Sequence, residues 1–257
     1  MLPYIDVLGR QISMYGVMIA AGAVAALVWA LWYSRGDRVR SADLELALIY
    51  GVIGVAVGAK LLYVVTVLPE FLRDLPYLFT YPAAFFRTYL AGGFVFYGGL
   101  YGFLAAVALY VHFAKADGDH VWRGAVPAVA LFHGFGRVGC FLAGCCYGVP
   151  SHGWGVVFHQ SEIAPTDTAL VPIQLYGAVG EFLLFGVLVY LAYRKITGRR
   201  ILGVYLCAYS AGRFALEFWR GDVYRGIYGG LSLSQWISLV TAALGLWLLL
   251  SRRRQKQ

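Results

Sequence analysis

Apolar residues gather in seven windows, roughly 12–33, 44–67, 94–113, 122–143, 173–193, 201–219 and 233–250. Each is close to the ~20 residues a helix needs to cross about 30 Å of hydrocarbon. Polar and glycine- or proline-bearing stretches separate them: SRGDRVRSAD, PEFLRDLPYLFTYPAAFFRTYLAGG, KADGDH, YGVPSHGWGVVFHQSEIAPTDTALVP, RKITGRR and RGDVYRGIYGG. The pattern predicts an all-α fold, a polytopic membrane bundle of about seven transmembrane helices. Residues 1–257 read as a single integral membrane domain. Its two long connections, about 68–93 and 147–172, are long enough to fold over the membrane surface.

Composition agrees: 60% of residues are hydrophobic and 13% charged, with mean hydropathy +0.69, outside the range of soluble domains. The formal charge of +8 does not predict a nucleic-acid surface, because the basic residues sit in short loops beside apolar runs and form no continuous stripe. They set topology instead. Thirteen of the 21 Lys and Arg residues, from Arg35, Arg38 and Arg40 to Arg252, Arg253, Arg254 and Lys256, fall on one side of the predicted membrane and five on the other. The richer side is expected to be cytoplasmic. That places the N-terminus outside, the C-terminus in the cytoplasm and both long loops outside. The first window lacks a small-residue cleavage pattern, so its helix is expected to remain in the mature protein.

Against this apolar background a few polar residues stand out. HGFGRVGCFLAGCCYG, residues 133–148, closes the fourth window. Its glycines bare the backbone for close helix approach or an irregular segment. Arg137 lies among them; an arginine within a span demands a partner, a wet cavity or an anionic ligand, and its planar fork suits a phosphate. GRFALEFWRGD, residues 212–222, closes the sixth window and spaces Arg213, Glu217 and Arg220 along one helical face. These residues form either an internal ion pair or, with Arg137, an electropositive cavity at the depth of phospholipid headgroups. Tyr15 and Tyr97 each offer a hydroxyl near a span end. Lys60 is expected to snorkel, and Gln174, Tyr176 and Glu181 to line a wall. Cys140, Cys145 and Cys146 with His133 give C-x4-C-C plus a histidine seven residues upstream. That matches no standard zinc spacing, so neither a metal nor a cofactor is expected.

Six motifs in order, MYG at residue 15, FYGGLYG around 97, GRVGCFLAGCCYG from 136, PIQLY from 172, GRFALEFWRGD from 212 and LSLSQW from 231, resemble the prolipoprotein diacylglyceryl transferase family, in a divergent branch with GCCYG at the signature. The resemblance covers nearly the whole chain. It implies a seven-helix transferase of the bacterial cytoplasmic (inner) membrane. Such an enzyme moves the diacylglyceryl group of phosphatidylglycerol to the lipobox cysteine in the signal peptide of a prolipoprotein, in contact with bilayer lipids and without a cofactor. Arg137 and Arg213 correspond to the family's essential arginines, Glu217 to the glutamate one turn on and Tyr15 to its first-helix tyrosine. Gly139, Cys140 and Arg220 join these four as substrate-binding candidates. The chain departs from the family where Tyr97 replaces a histidine, where Cys140-Phe-Leu-Ala-Gly-Cys145 replaces Asn-Phe-x-Asn-Gly-Glu, and where Val171 replaces a histidine.

The chemistry so implied is thioether formation at the glycerol carbon that bears the phosphate. Arg137 and Arg213 would hold the phosphate and stabilise charge on the leaving group. Tyr97, His133 or water would take the thiol proton. Two other readings remain open: a family member acting on another lipid or acceptor, and a non-catalytic phospholipid-binding membrane protein. A transporter would place charges at the midplane, whereas here they cluster near one leaflet.

Overall fold

The computed structural model describes residues 3–7, 9–91, 93–151, 153–161, 163–222 and 226–251. The basic residues Arg225, Arg252, Arg253, Arg254 and Lys256, which contribute to the expected topology, lie outside them. Each of the seven windows is occupied by a long helix: α1 (Met14–Tyr33), α2 (Arg38–Thr66), α6 (Phe96–Ala114), α7 (Gly118–Ala143), α8 (Ile173–Tyr193), α9 (Gly198–Leu216) and α10 (Leu233–Leu250). Among the described residues, six are long and apolar enough to cross a membrane; α9 has the length but not the apolarity. Arg199, Arg200, Ser210 and Arg213 lower its hydropathy. α2 starts well before its apolar window because Asp37 caps it, its carboxylate accepting from the backbone N–H groups of Val39 and Arg40 at 3.1 Å each.

Burial follows the logic of a bilayer. Val52, Ile53, Leu61, Leu183 and Val240 are exposed, while Gln174, Glu181, Ser210 and Thr241 are buried. In lipid, apolar surface carries no penalty and polar groups must be satisfied by protein. The chain is an all-α, multi-pass membrane protein.

The described chain falls into two compact units, Asp37–Val121 and Met1–Gly36 with Trp122–Gln257. In the first, α2 and α6 pack backbone to backbone. A Cβ on Gly102 would fall on the carbonyl oxygen of Gly54, and one on Gly58 on that of Gly98, so this contact requires glycine on both helices. The 68–93 connection carries three short helices, α3 (Leu68–Asp74), α4 (Tyr77–Thr80) and α5 (Pro82–Phe86), and a π-helical turn at Arg87–Ala91. Pro69 and Pro82 occupy the first turns of α3 and α5, where a missing N–H costs nothing. Lys60 departs from the snorkelling expectation. Its ammonium donates to the carbonyls of Tyr89 (3.2 Å) and Gly93 (3.0 Å) and lies over the Phe94 ring, so protein oxygens solvate it.

In the second unit, α7 is held to α1 where Gly22 meets Phe135 and where the Trp29 indole donates to the Gly124 carbonyl at 2.8 Å. It meets α8 where Phe182 covers Gly134, and α9 meets α10 where Gly203 and Gly245 face one another. Among the described residues there are also three two-stranded antiparallel ribbons: β1 (Tyr4–Val7) with β2 (Arg10–Ser13), β3 (Val156–Val157) with β4 (Ala169–Leu170), and β5 (Ile227–Tyr228) with β6 (Leu231–Ser232). The β3–β4 ribbon lies within the 147–172 connection.

Candidate active site

The 3.6-residue period of α7 puts His133, Arg137 and Cys140 on one face. His133 Nδ1 lies 2.9 Å from the Glu181 carboxylate on α8, a nearly buried pair. One turn on, Arg137 directs Nη2 to the Ile173 carbonyl at 3.5 Å, and its Nε lies where a Cβ on Gly177 would come within 2.9 Å. A glycine on α8 therefore makes room for the guanidinium. Gly139 packs against Tyr15, whose Cδ2 a Cβ would meet at 3.1 Å. Tyr15 itself stays 42% exposed in the first turn of α1.

Past the end of α7 the chain reverses through two residues of left-handed backbone, Gly144 (φ +72°) and Cys146 (φ +54°). A side chain other than glycine tolerates that region at a cost of ~1 kcal/mol or more. The reversal brings the sulfurs of Cys140, Cys145 and Cys146 within 4.8 Å of one another, and all three are free thiols. Gln174 Nε2 donates to the Cys145 carbonyl at 2.8 Å, and Ser161 braces Gly144. The Cys146 thiol is drawn well below its ordinary pKa by hydrogen bonds from Cys140 and Cys145 and by the nearby Arg220 and Arg137 guanidinium groups, against the effect of burial.

The chain then runs beside the end of α9. Val149 N donates to Trp219 O and Gly221 N to Tyr147 O, each at 2.9 Å, with Gly148 bridged to Arg220. The α-helix stops at Leu216, and Glu217–Trp219 form a 3-10 turn, so the one-face helical alignment expected for Arg213, Glu217 and Arg220 is completed by a tighter turn. Glu217, its side chain 2% exposed, pairs with Arg213 and lies 3.7 Å from Arg220. Arg213 also donates to Ser234 Oγ (3.1 Å), and Arg220 grips Asp222 through two bonds of 2.8 and 2.6 Å. Arg213 and Arg220 thus share Glu217. Both are held in place on carboxylates, and the Arg137 fork is accommodated by Gly177.

Tyr97 lies in the Asp37–Val121 unit, buried at the start of α6 beside the rings of Phe96 and Tyr101. The sequence reading missed the anchoring parts Gly177, Ser234 and Asp222, and the pairing of Glu181 with His133. Gln174, Gly177 and Glu181 recur at helical spacing, a signal that they share the face of α8 toward α7.

The sequence profile of the prolipoprotein diacylglyceryl transferase family matches residues 3–251. The chain belongs to this family. A phosphatidylglycerol–prolipoprotein diacylglyceryl transferase of Clostridium tetani is 36% identical over 261 residues, covering 98% of each chain. A second protein with this name, numbered 2, from Clostridium perfringens is 34% identical over 91% of this chain and 88% of its own length. A third, from Cupriavidus pinatubonensis, is 31% identical over 91% of this chain and 85% of its own length. In this chain the sulfurs of Cys140, Cys145 and Cys146 cluster at and just past the end of the helix that carries Arg137.

Proposed function

We propose that this family member transfers the diacylglyceryl group of phosphatidylglycerol to the lipobox cysteine thiol of a prolipoprotein, in the bacterial cytoplasmic membrane, with its N-terminus and long loops outside. The observation that carries this reading is the pair of guanidinium forks, Arg213 and Arg220, held on the one buried carboxylate of Glu217. Forked guanidinium groups hold a phosphate bidentately. They favour the transition state because the phosphate gains charge as the carbon–oxygen bond breaks. Glu217 and Asp222 fix the forks before substrate arrives, and Tyr15 and Gly139 border the same end of α7. His133, oriented by Glu181, takes up the proton that the thiol loses.

The test is direct. Purified protein, phosphatidylglycerol and a lipobox peptide should give a diacylglyceryl thioether detectable by mass spectrometry. Absence of product from folded protein that still binds the lipid would refute the transferase reading and leave a phospholipid-binding protein.

A further inference from the structure

The clamp accounts for the phosphate end of the reaction and leaves the three sulfurs unused. Their placement is specific. Cys140 comes from the last turn of α7, and Cys145 and Cys146, adjacent in sequence, are turned to the same side by left-handed Gly144 and Cys146. Three thiolates bound to one zinc ion at about 2.3 Å sit roughly 3.8 Å apart. The sulfurs already lie within 4.8 Å, so closing on a metal needs a contraction of about 1 Å or less. Among the described residues no fourth histidine, cysteine or carboxylate joins the group. Three protein ligands and one open position characterise zinc sites that act on a substrate, whereas structural sites are closed by four. The C-x4-C-C spacing gives no hint of this, because the turn, and not the spacing, assembles the ligands.

We propose that Cys140, Cys145 and Cys146 hold a zinc ion whose fourth position takes the thiol of the acceptor cysteine. This rests on the transferase reading. A thiol that coordinates zinc is deprotonated outright, and a thiolate is the nucleophile that alkylation needs. The zinc trithiolate carries one net negative charge. His133 stands seven residues before Cys140, about 10 Å along α7, too far to abstract a proton at the metal. Coordination removes that need, and the proton passes to water and on to His133. The zinc-bound sulfur forms the carbon–sulfur bond at the glycerol carbon as the carbon–oxygen bond to phosphate breaks. The bonding pair stays on the phosphate oxygen, held by the arginines, and glycerol phosphate leaves. Zinc remains divalent throughout.

Metal analysis of the full chain purified in detergent with phosphatidylglycerol should find about one zinc per protein, as for a single catalytic ion. Replacing it with cobalt should give sulfur-to-metal charge-transfer bands and the visible spectrum of a tetrahedral ion. A lipobox peptide should shift that spectrum, and its Cys→Ser analogue should not. Cys140→Ser, Cys145→Ser and Cys146→Ser should each weaken zinc binding about tenfold or more, while Cys207→Ser leaves it unchanged. Cys146→His, which retains a zinc ligand, should keep the metal with an altered cobalt spectrum, separating ligand loss from misfolding. Wild-type protein without zinc, or equal zinc in the triple serine variant, overturns the site. A cobalt spectrum indifferent to the thiol peptide overturns thiol activation. Full thioether formation by metal-free protein overturns the zinc step and leaves the transferase reading standing. Zinc and thiol binding without product from phosphatidylglycerol sustains the site and refutes that reading.

Discussion

Glu217→Gln separates orientation from attraction in the arginine clamp. The substitution keeps the shape of the side chain and removes the one carboxylate shared by Arg213 and Arg220. Deleting one partner of a buried ion pair costs about 3–5 kcal/mol when the other is stranded. Neither arginine is stranded here. Arg213 keeps Ser234 and Arg220 keeps both bonds to Asp222, and their side chains are 18% and 16% exposed. The expected loss of stability is therefore smaller, about 2 kcal/mol, read as a lower midpoint of thermal unfolding in detergent. The clamp meanwhile gains a unit of positive charge. An added charge near 4 Å at an effective dielectric of about 20 amounts to ~4 kcal/mol of attraction for an anion before screening. KM for phosphatidylglycerol should then hold or fall while kcat drops by about 100-fold, because forks that no longer point at the leaving oxygen bind the ground state as well as the transition state. Thioether formation measured against lipid concentration gives both constants. A raised KM with unchanged kcat would refute the orienting role, and so would an unfolding midpoint and rate equal to wild type.

Arg137→Lys should lower kcat/KM for thioether formation about 100-fold, since an ammonium cannot reproduce the fork laid against Gly177; retained activity would remove the bidentate contact. Tyr97→Phe should leave the rate of thioether formation near wild type, because His133 takes the proton; loss of turnover in that variant would return Tyr97 to the chemistry. Gly102→Ala should lower the unfolding midpoint by an amount equivalent to about 2–3 kcal/mol, because the new methyl meets the backbone of Gly54, whereas Gly180→Ala, which meets no atom within 4 Å, should be neutral or stabilising. Asp74 is held below its ordinary value by the Tyr89 hydroxyl and then by Arg73. Its lowered pKa contributes stability above the unfolded value of about 4 that is lost as pH falls through the folded one. Limited proteolysis of the 68–91 segment should accelerate at that acid end, and at higher pH in Tyr89→Phe.

The helices were legible because lipid demands long apolar runs, and the places where the reading slipped have the same cause. α2 begins in a six-residue stretch after Asp37, four of its positions polar or charged (Arg38, Arg40, Ser41 and Asp43), that no hydropathy window registers, although the cap itself is a readable signal. The α2–α6 contact was also written in the chain, as G-x-x-x-G at Gly54–Gly58 and again at Gly98–Gly102, the spacing that lets membrane helices touch. Arg137, Arg213 and Glu217 stood out because an ionised group within a span is costly. Their supports did not, since Ser234, Asp222 and Gly177 are ordinary residues whose meaning comes only from what lies opposite. The sulfur cluster was least legible of all. Zinc motifs are recognised by spacings that presuppose familiar loops, whereas Cys140, Cys145 and Cys146 converge through two left-handed residues, Gly144 and Cys146, on either side of Cys145. That reversal also carries the chain to Arg220, so the same turn that gathers the sulfurs sets them beside the arginines. An acceptor thiol held at the sulfurs and a phosphate held at the arginines would meet there, with the carbon to be attacked between them.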